Sequence, residues 1–106
     1  MSLADQTCVP CQGGMPPLSP EAITPLAEQT PEWTVIDNHH LHRDYTFPDF
    51  RSALDFVVKV GEVAEEQGHH PDIAFGWGKV SLTFYTHKIG GLAEADFVMA
   101  AKVDKL

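Results

Sequence analysis

Between positions 50 and 64 the apolar residues Phe50, Ala53, Leu54, Val57, Val60, Gly61 and Ala64 return at intervals of three and four. That period puts them on one stripe of a helix. The spacing predicts a helix over 48–67, with Gly68 as its C-terminal stop. Elsewhere the period is two. Val80, Leu82 and Phe84 alternate with Ser81, Thr83 and Tyr85, as a half-buried strand requires. A short β-prone run at 73–75 precedes it across a turn in which Gly76 and Gly78 bracket Trp77. A first strand pair is predicted upstream: 33–36, a turn at Asp37 and Asn38, then extended chain carrying Leu41, Arg43, Tyr45 and Phe47.

Two further helices complete the pattern. In SPEAITPLAEQ, Ser19 can cap, Pro20 suits the first helical position and Glu21 the first turn; Pro25 leaves a later start at Thr24 open. At the other end, Leu92, Phe97, Ala100, Ala101 and Val103 predict an amphipathic helix over 92–105. The order is α-β-β-α-β-β-α. An α+β fold is expected, a four-stranded, mainly antiparallel sheet with three helices packed on one face. Its open face and edges then need cover, so a dimer or larger assembly is expected.

Residues 1–18 contain CVPCQGGMPPL, with three prolines, two glycines and no apolar period, and are expected to form a flexible arm before a single domain over 19–106. At 106 residues one domain is all the chain can supply. The arm holds both cysteines, Cys8 and Cys11; with no second CxxC they read as a reduced, mobile pair rather than half of a zinc site. The N-terminus lacks a signal-peptide pattern and no window is long enough to span a bilayer, so the sequence is read as cytoplasmic. A formal charge of -8 disfavours direct nucleic-acid binding.

Candidate chemistry lies with the six histidines. His39, His40 and His42 surround the first hairpin and read as solvated. His69 and His70 leave the long helix at its C-terminal end, where the macrodipole favours protonated imidazole, a setting suited to acid/base work. Pro71 stiffens the exit and restricts His70 to extended backbone. His87 is expected to close the last strand at the same end of the sheet. Glu65, four residues before His69, is in reach of a ring nitrogen, and Asp96 falls in the first turn of the last helix. From spacing alone, a metal site, a metal-free acid/base site and solvated loop histidines all remain open.

The stretches EEQGHHPD, WGKV and LTFYTHKIGGLAEADF, in this order and spacing, resemble the signature of the pterin-4a-carbinolamine dehydratases. The resemblance runs from about Trp33 to the C-terminus. It implies four strands and three helices in a homodimer or homotetramer, and loss of water from 4a-hydroxytetrahydropterin to give quinonoid dihydropterin. That step recycles the cofactor of aromatic amino acid hydroxylases, the implied functional partners; no metal or cofactor is required. On the matching positions His69, His70 and His87 would be catalytic, with Glu65, Pro71, Trp77 and Asp96 shaping or supporting the pocket.

Two positions depart from the family pattern. Ala93 stands where many members place a capping Thr or Ser, a loss worth about 1 kcal/mol, and Gly78 stands where others often have Asn. Competing functions are a non-catalytic dimerisation or regulatory cofactor, a role in another pterin pathway such as molybdopterin, and a small metalloprotein.

Overall fold

A computed structural model describes residues 3–8 and 16–106. The succession of elements is the one the periods predict: α1 (Pro20–Glu28), β1 (Thr34–Ile36), β2 (His40–Thr46), α2 (Phe50–Gln67), β3 (Asp72–Gly76), β4 (Lys79–Phe84) and α3 (Glu94–Val103). The strands form one sheet in the order β1-β2-β4-β3, and every pairing is antiparallel. The fold is α+β, with all three helices on one face. The chain leaves β2 through α2, returns at the far edge as β3 and doubles back as β4 beside β2.

Register explains which face is covered. Leu41 sits opposite Phe84, Arg43 opposite Leu82 and Tyr45 opposite Val80, so these side chains share the face under the helices. Leu41, Val80, Leu82 and Phe84 are fully buried there, together with Ala53 and Val60 of α2 and Phe97 and Met99 of α3. Tyr45 packs on Phe56 with ring centroids 4.6 Å apart. Burial pushes its hydroxyl pKa up to about 12.

The opposite face needs no cover, because it is polar. Asp44 accepts from the Ser81 hydroxyl at 2.6 Å and from His42 Nε2 at 2.9 Å, while His42 Nδ1 lies 3.1 Å from Thr83 Oγ1. The Ser81 hydroxyl, and then His42, hold the Asp44 carboxyl below its ordinary range. Apolar exposure is concentrated instead at the β3 edge, where Ile73 and Phe75 are exposed and Phe75 meets Phe50 at 5.5 Å.

Local chemistry sets the element ends. Ser19 caps α1, accepting from Ala22 N–H at 3.2 Å, so the helix starts at Pro20 and carries Pro25 inside it. Asp37 and Asn38 both adopt φ 53°, a left-handed pair that suits Asp and Asn in a hairpin turn. Asp49 caps α2 by accepting from Ser52 N–H at 2.8 Å, and that bond holds its carboxyl below the usual range. Gly68 ends α2 with φ 65°, in the left-handed region glycine enters without strain.

Three expectations change. The last strand stops at Phe84, because Thr86 bridges to Gly91 and His87–Ile89 close into a 3₁₀ turn. The last helix is not amphipathic: Ala95 through Ala100 are all buried. The physical reason is the third change. Within the expected arm, residues 3–5 form a 3₁₀ turn whose Leu3 is only 3% exposed, and Lys102 Nζ donates to Ala4 O at 2.8 Å. This segment covers the side of α3 that the sheet leaves open. Cys8 is buried as well, whereas Cys11 lies outside the described residues.

Two glycines of α2 give opposite expected outcomes. Gly61 is mid-helix with open space around a built Cβ, so Gly61→Ala raises stability by about 0.5–1 kcal/mol. Gly68→Ala, at φ 65°, lowers it by about 1 kcal/mol. Urea denaturation of both variants checks the pair. Asp49 supplies a pH dependence. Its folded pKa is depressed, so its capping contribution is complete above the unfolded value, about 3.9, and is lost as pH falls through the folded one. Urea midpoints measured from pH 6 to pH 3 are expected to fall less steeply for Asp49→Asn than for the unaltered chain.

Candidate active site

The left-handed turn at Gly68 reverses the chain at the end of α2, and the two histidines that follow diverge. His69 turns inward. Its Nε2 lies 2.6 Å from Asp96 Oδ1, its side chain is 15% exposed, and its ring lies nearly parallel to that of Phe84, 7° apart in plane. His70 turns outward, is 58% exposed, and places Nε2 2.5 Å from Glu65 Oε2. Glu65 therefore serves His70 rather than His69, the partner that four-residue spacing suggests. The helical period behind that spacing ends at Gly68.

Asp96 is fully buried. Its Oδ2 accepts from the Thr86 hydroxyl and from Ala93 N–H, each at 2.9 Å, while Oδ1 faces His69. Ala93 has no side-chain oxygen to return, so the cap of α3 comes from Asp96 alone. A buried carboxylate is tolerated where hydrogen bonds and an ionisable partner surround it, and these three contacts supply both. With Nε2–H donated to Asp96, His69 is held as the tautomer that presents Nδ1 as acceptor.

His87 sits in the 3₁₀ turn after β4, with its ring 4.1 Å from that of Tyr85 in edge-on geometry. Tyr85 is backed in turn by the His39 ring at 4.8 Å. His69, His70 and His87 line one cavity of about 400 Å³, with Pro71 and Tyr85 among its other walls. The structure thus brings together His69, His70, Pro71 and His87, with Glu65 and Asp96 behind two of them. It does not bring Trp77. That residue is 73% exposed in the β3–β4 turn, at the opposite end of β3 from Asp72, which lines the cavity.

Sequence reasoning did not assign Cys8, Gln67, Asp72, Tyr85, Thr86 or Lys88 to this cavity. Thr86 had a readable signal, since strand alternation carries the buried face from Phe84 to Thr86 and aims the hydroxyl at α3. Cys8 had none. Among the described residues no three His, Cys, Asp or Glu side chains converge as metal ligands do. The cavity offers one mostly buried imidazole oriented by Asp96, one exposed imidazole paired with Glu65 and one further exposed imidazole. Such a set can give and take protons on a bound polar substrate.

Asp96→Ala removes the acceptor from three donors and is expected to cost about 2–4 kcal/mol, whereas Thr86→Val costs about 1 kcal/mol. Chemical denaturation of both variants measures the difference.

Comparison with known proteins identifies the family. A family model described as pterin 4 alpha carbinolamine dehydratase matches residues 16–106. A Rubrobacter xylanophilus protein, named provisionally as a pterin-4-alpha-carbinolamine dehydratase, is 62% identical over 104 residues, covering 98% of this chain and 97% of the relative. One from Alkaliphilus metalliredigens with the same provisional name is 50% identical, covering 98% and 95%. Among solved structures, a transcriptional coactivator/pterin dehydratase from Brucella melitensis aligns with TM-score 0.78 at 27% identity, over 84% of this chain and 96% of that one. A pterin dehydratase-like protein described as a RuBisCO assembly factor in the alpha-carboxysome aligns with TM-score 0.59 at 26% identity, over 70% and 87%. With the match spanning the sheet, all three helices and every histidine of the cavity, the chain belongs to the pterin 4 alpha carbinolamine dehydratase family.

Proposed function

We propose that this protein dehydrates 4a-hydroxytetrahydrobiopterin to quinonoid dihydropterin, recycling the cofactor of an aromatic amino acid hydroxylase. The observation that carries the reading is the convergence of three imidazoles on one cavity, with His69 held in a single tautomer by a buried carboxylate. The reaction breaks the C4a–O bond. The leaving hydroxyl takes a proton and departs as water, N5 gives up its proton, and an N5=C4a double bond forms. One group must donate while another accepts, and histidine does both near neutral pH.

His69, presenting Nδ1, takes the N5 proton; His87, which lines the same cavity, protonates the leaving hydroxyl. His70, paired with Glu65 at the rim, binds and orients the pterin. The step needs no metal or cofactor. The protein acts in the cytoplasm, and no helix among the described residues is long and apolar enough to cross a membrane. It works as a homodimer or homotetramer joined through the β3 edge, a reading supported by the exposed Ile73, Phe75 and Phe50.

The same exposed edge favours a second reading, a regulatory or assembly role through a protein partner. The Brucella melitensis relative is described as a transcriptional coactivator as well as a dehydratase. Turnover separates the two.

Added to a phenylalanine hydroxylase reaction that accumulates the carbinolamine, the protein is expected to speed its disappearance. His69→Ala and His87→Ala are expected to lower kcat/KM by about 10²–10⁴. His70→Ala acts mainly on KM. Acceleration that survives both His69→Ala and His87→Ala removes this site from the reaction, and no acceleration by the unaltered protein favours the partner-binding role.

A further inference from the structure

We infer that Cys8 is a positioning residue of the site: it clasps the end of α2 to the start of α3 and so sets the contact between His69 and Asp96. Its two polar groups reach different elements. The Cys8 backbone N–H donates to Gln67 Oε1 at 3.0 Å, and its thiol donates to Ala95 O at 3.7 Å. Gln67 is the last residue of α2, two before His69, and Ala95 is the residue before Asp96. One residue near the N-terminus therefore bonds to a neighbour of each partner in the 2.6 Å contact that orients the imidazole, two positions before His69 and one before Asp96.

Cys8 is held there by more than itself. Leu3 is buried against α3, and Lys102 Nζ donates to Ala4 O, so the segment approaches along a defined path. Cys8 also lines the cavity beside His69 and Gln67, which makes the N-terminal segment part of its wall. Among the described residues it is the point at which that segment meets the site. The thiol bond is weak on its own, because sulfur is a poor donor. Its effect comes from location, since a small displacement at a proton-transferring group costs far more in rate than in stability.

The clasp predicts a loss of orientation rather than of fold. It rests on the dehydratase reading only for its kinetic consequence, and the two can fail separately. In the full chain with ring-¹⁵N-labelled histidine, the His69 Nε2 proton shared with Asp96 gives a downfield resonance that reports their contact without turnover. Cys8→Ala and Gln67→Leu each remove one half of the clasp. Each is expected to shift or broaden that resonance and to lower kcat about tenfold with little change in KM. Cys8→Ser, which keeps a donor, restores most of both. A resonance left in place by Cys8→Ala and Gln67→Leu overturns the clasp, whether or not their unfolding midpoints fall. An unaltered protein without dehydratase activity overturns the functional reading alone, and the resonance then still decides on the clasp.

Discussion

A carboxylate shut away from water must find partners for its oxygens, and Asp96 finds them on three separate stretches of chain. His69 follows α2, Thr86 follows β4, and Ala93 precedes its own helix. A single buried group thus ties the ends of a helix, a strand and a second helix to one point. Removing any donor leaves a buried acceptor short of a partner, so the three ends are mutually constrained. The imidazole that faces the cavity inherits that rigidity, because its second nitrogen is one of the three contacts.

The rest of the architecture brings those ends within reach. Antiparallel pairing of β4 with both β2 and β3 places the start of β3 and the end of β4 side by side, with Asp72 opposite Thr83. The segments His70-Pro71, leading into β3, and Thr86-His87, leaving β4, therefore lie at the same end of the sheet. Phe97 and Met99, buried in the core, anchor α3 and keep Asp96 at that end of the sheet. The polar outer face, with its Ser81–Asp44–His42 contacts, lets one side of the sheet meet water while the other holds the core.

Much of this was legible in the sequence, for a physical reason. Helix and strand periods are local, so Phe50 to Ala64 and Val80 to Phe84 declare their elements without knowledge of the fold. The histidines and Asp96 were legible as a set because their spacing matches a family signature. What was hidden depends on distance or on a reversal. Cys8 meets residues 59 and 87 positions away, and no periodicity encodes such contacts. The pairing of Glu65 with His70 follows from backbone handedness at one glycine rather than from helical spacing. Trp77 follows the histidines closely in sequence, yet an extended strand carries it to the other end of the sheet. The buried surroundings of α3 depend on a segment whose composition reads as a solvated arm.

Gly68 has a consequence for how the site tolerates change in chain length. An α-helix advances about 100° per residue, so one residue added to or removed from the last turns of α2 would rotate the departing chain by more than a quarter of a circle. The adjacent imidazoles would then exchange or lose their directions, with neither facing its carboxylate. Substitutions along the exposed side of α2 leave this phase untouched. The site is thus permissive toward composition along the helix and intolerant of insertions or deletions within it, and a single left-handed residue sets the count.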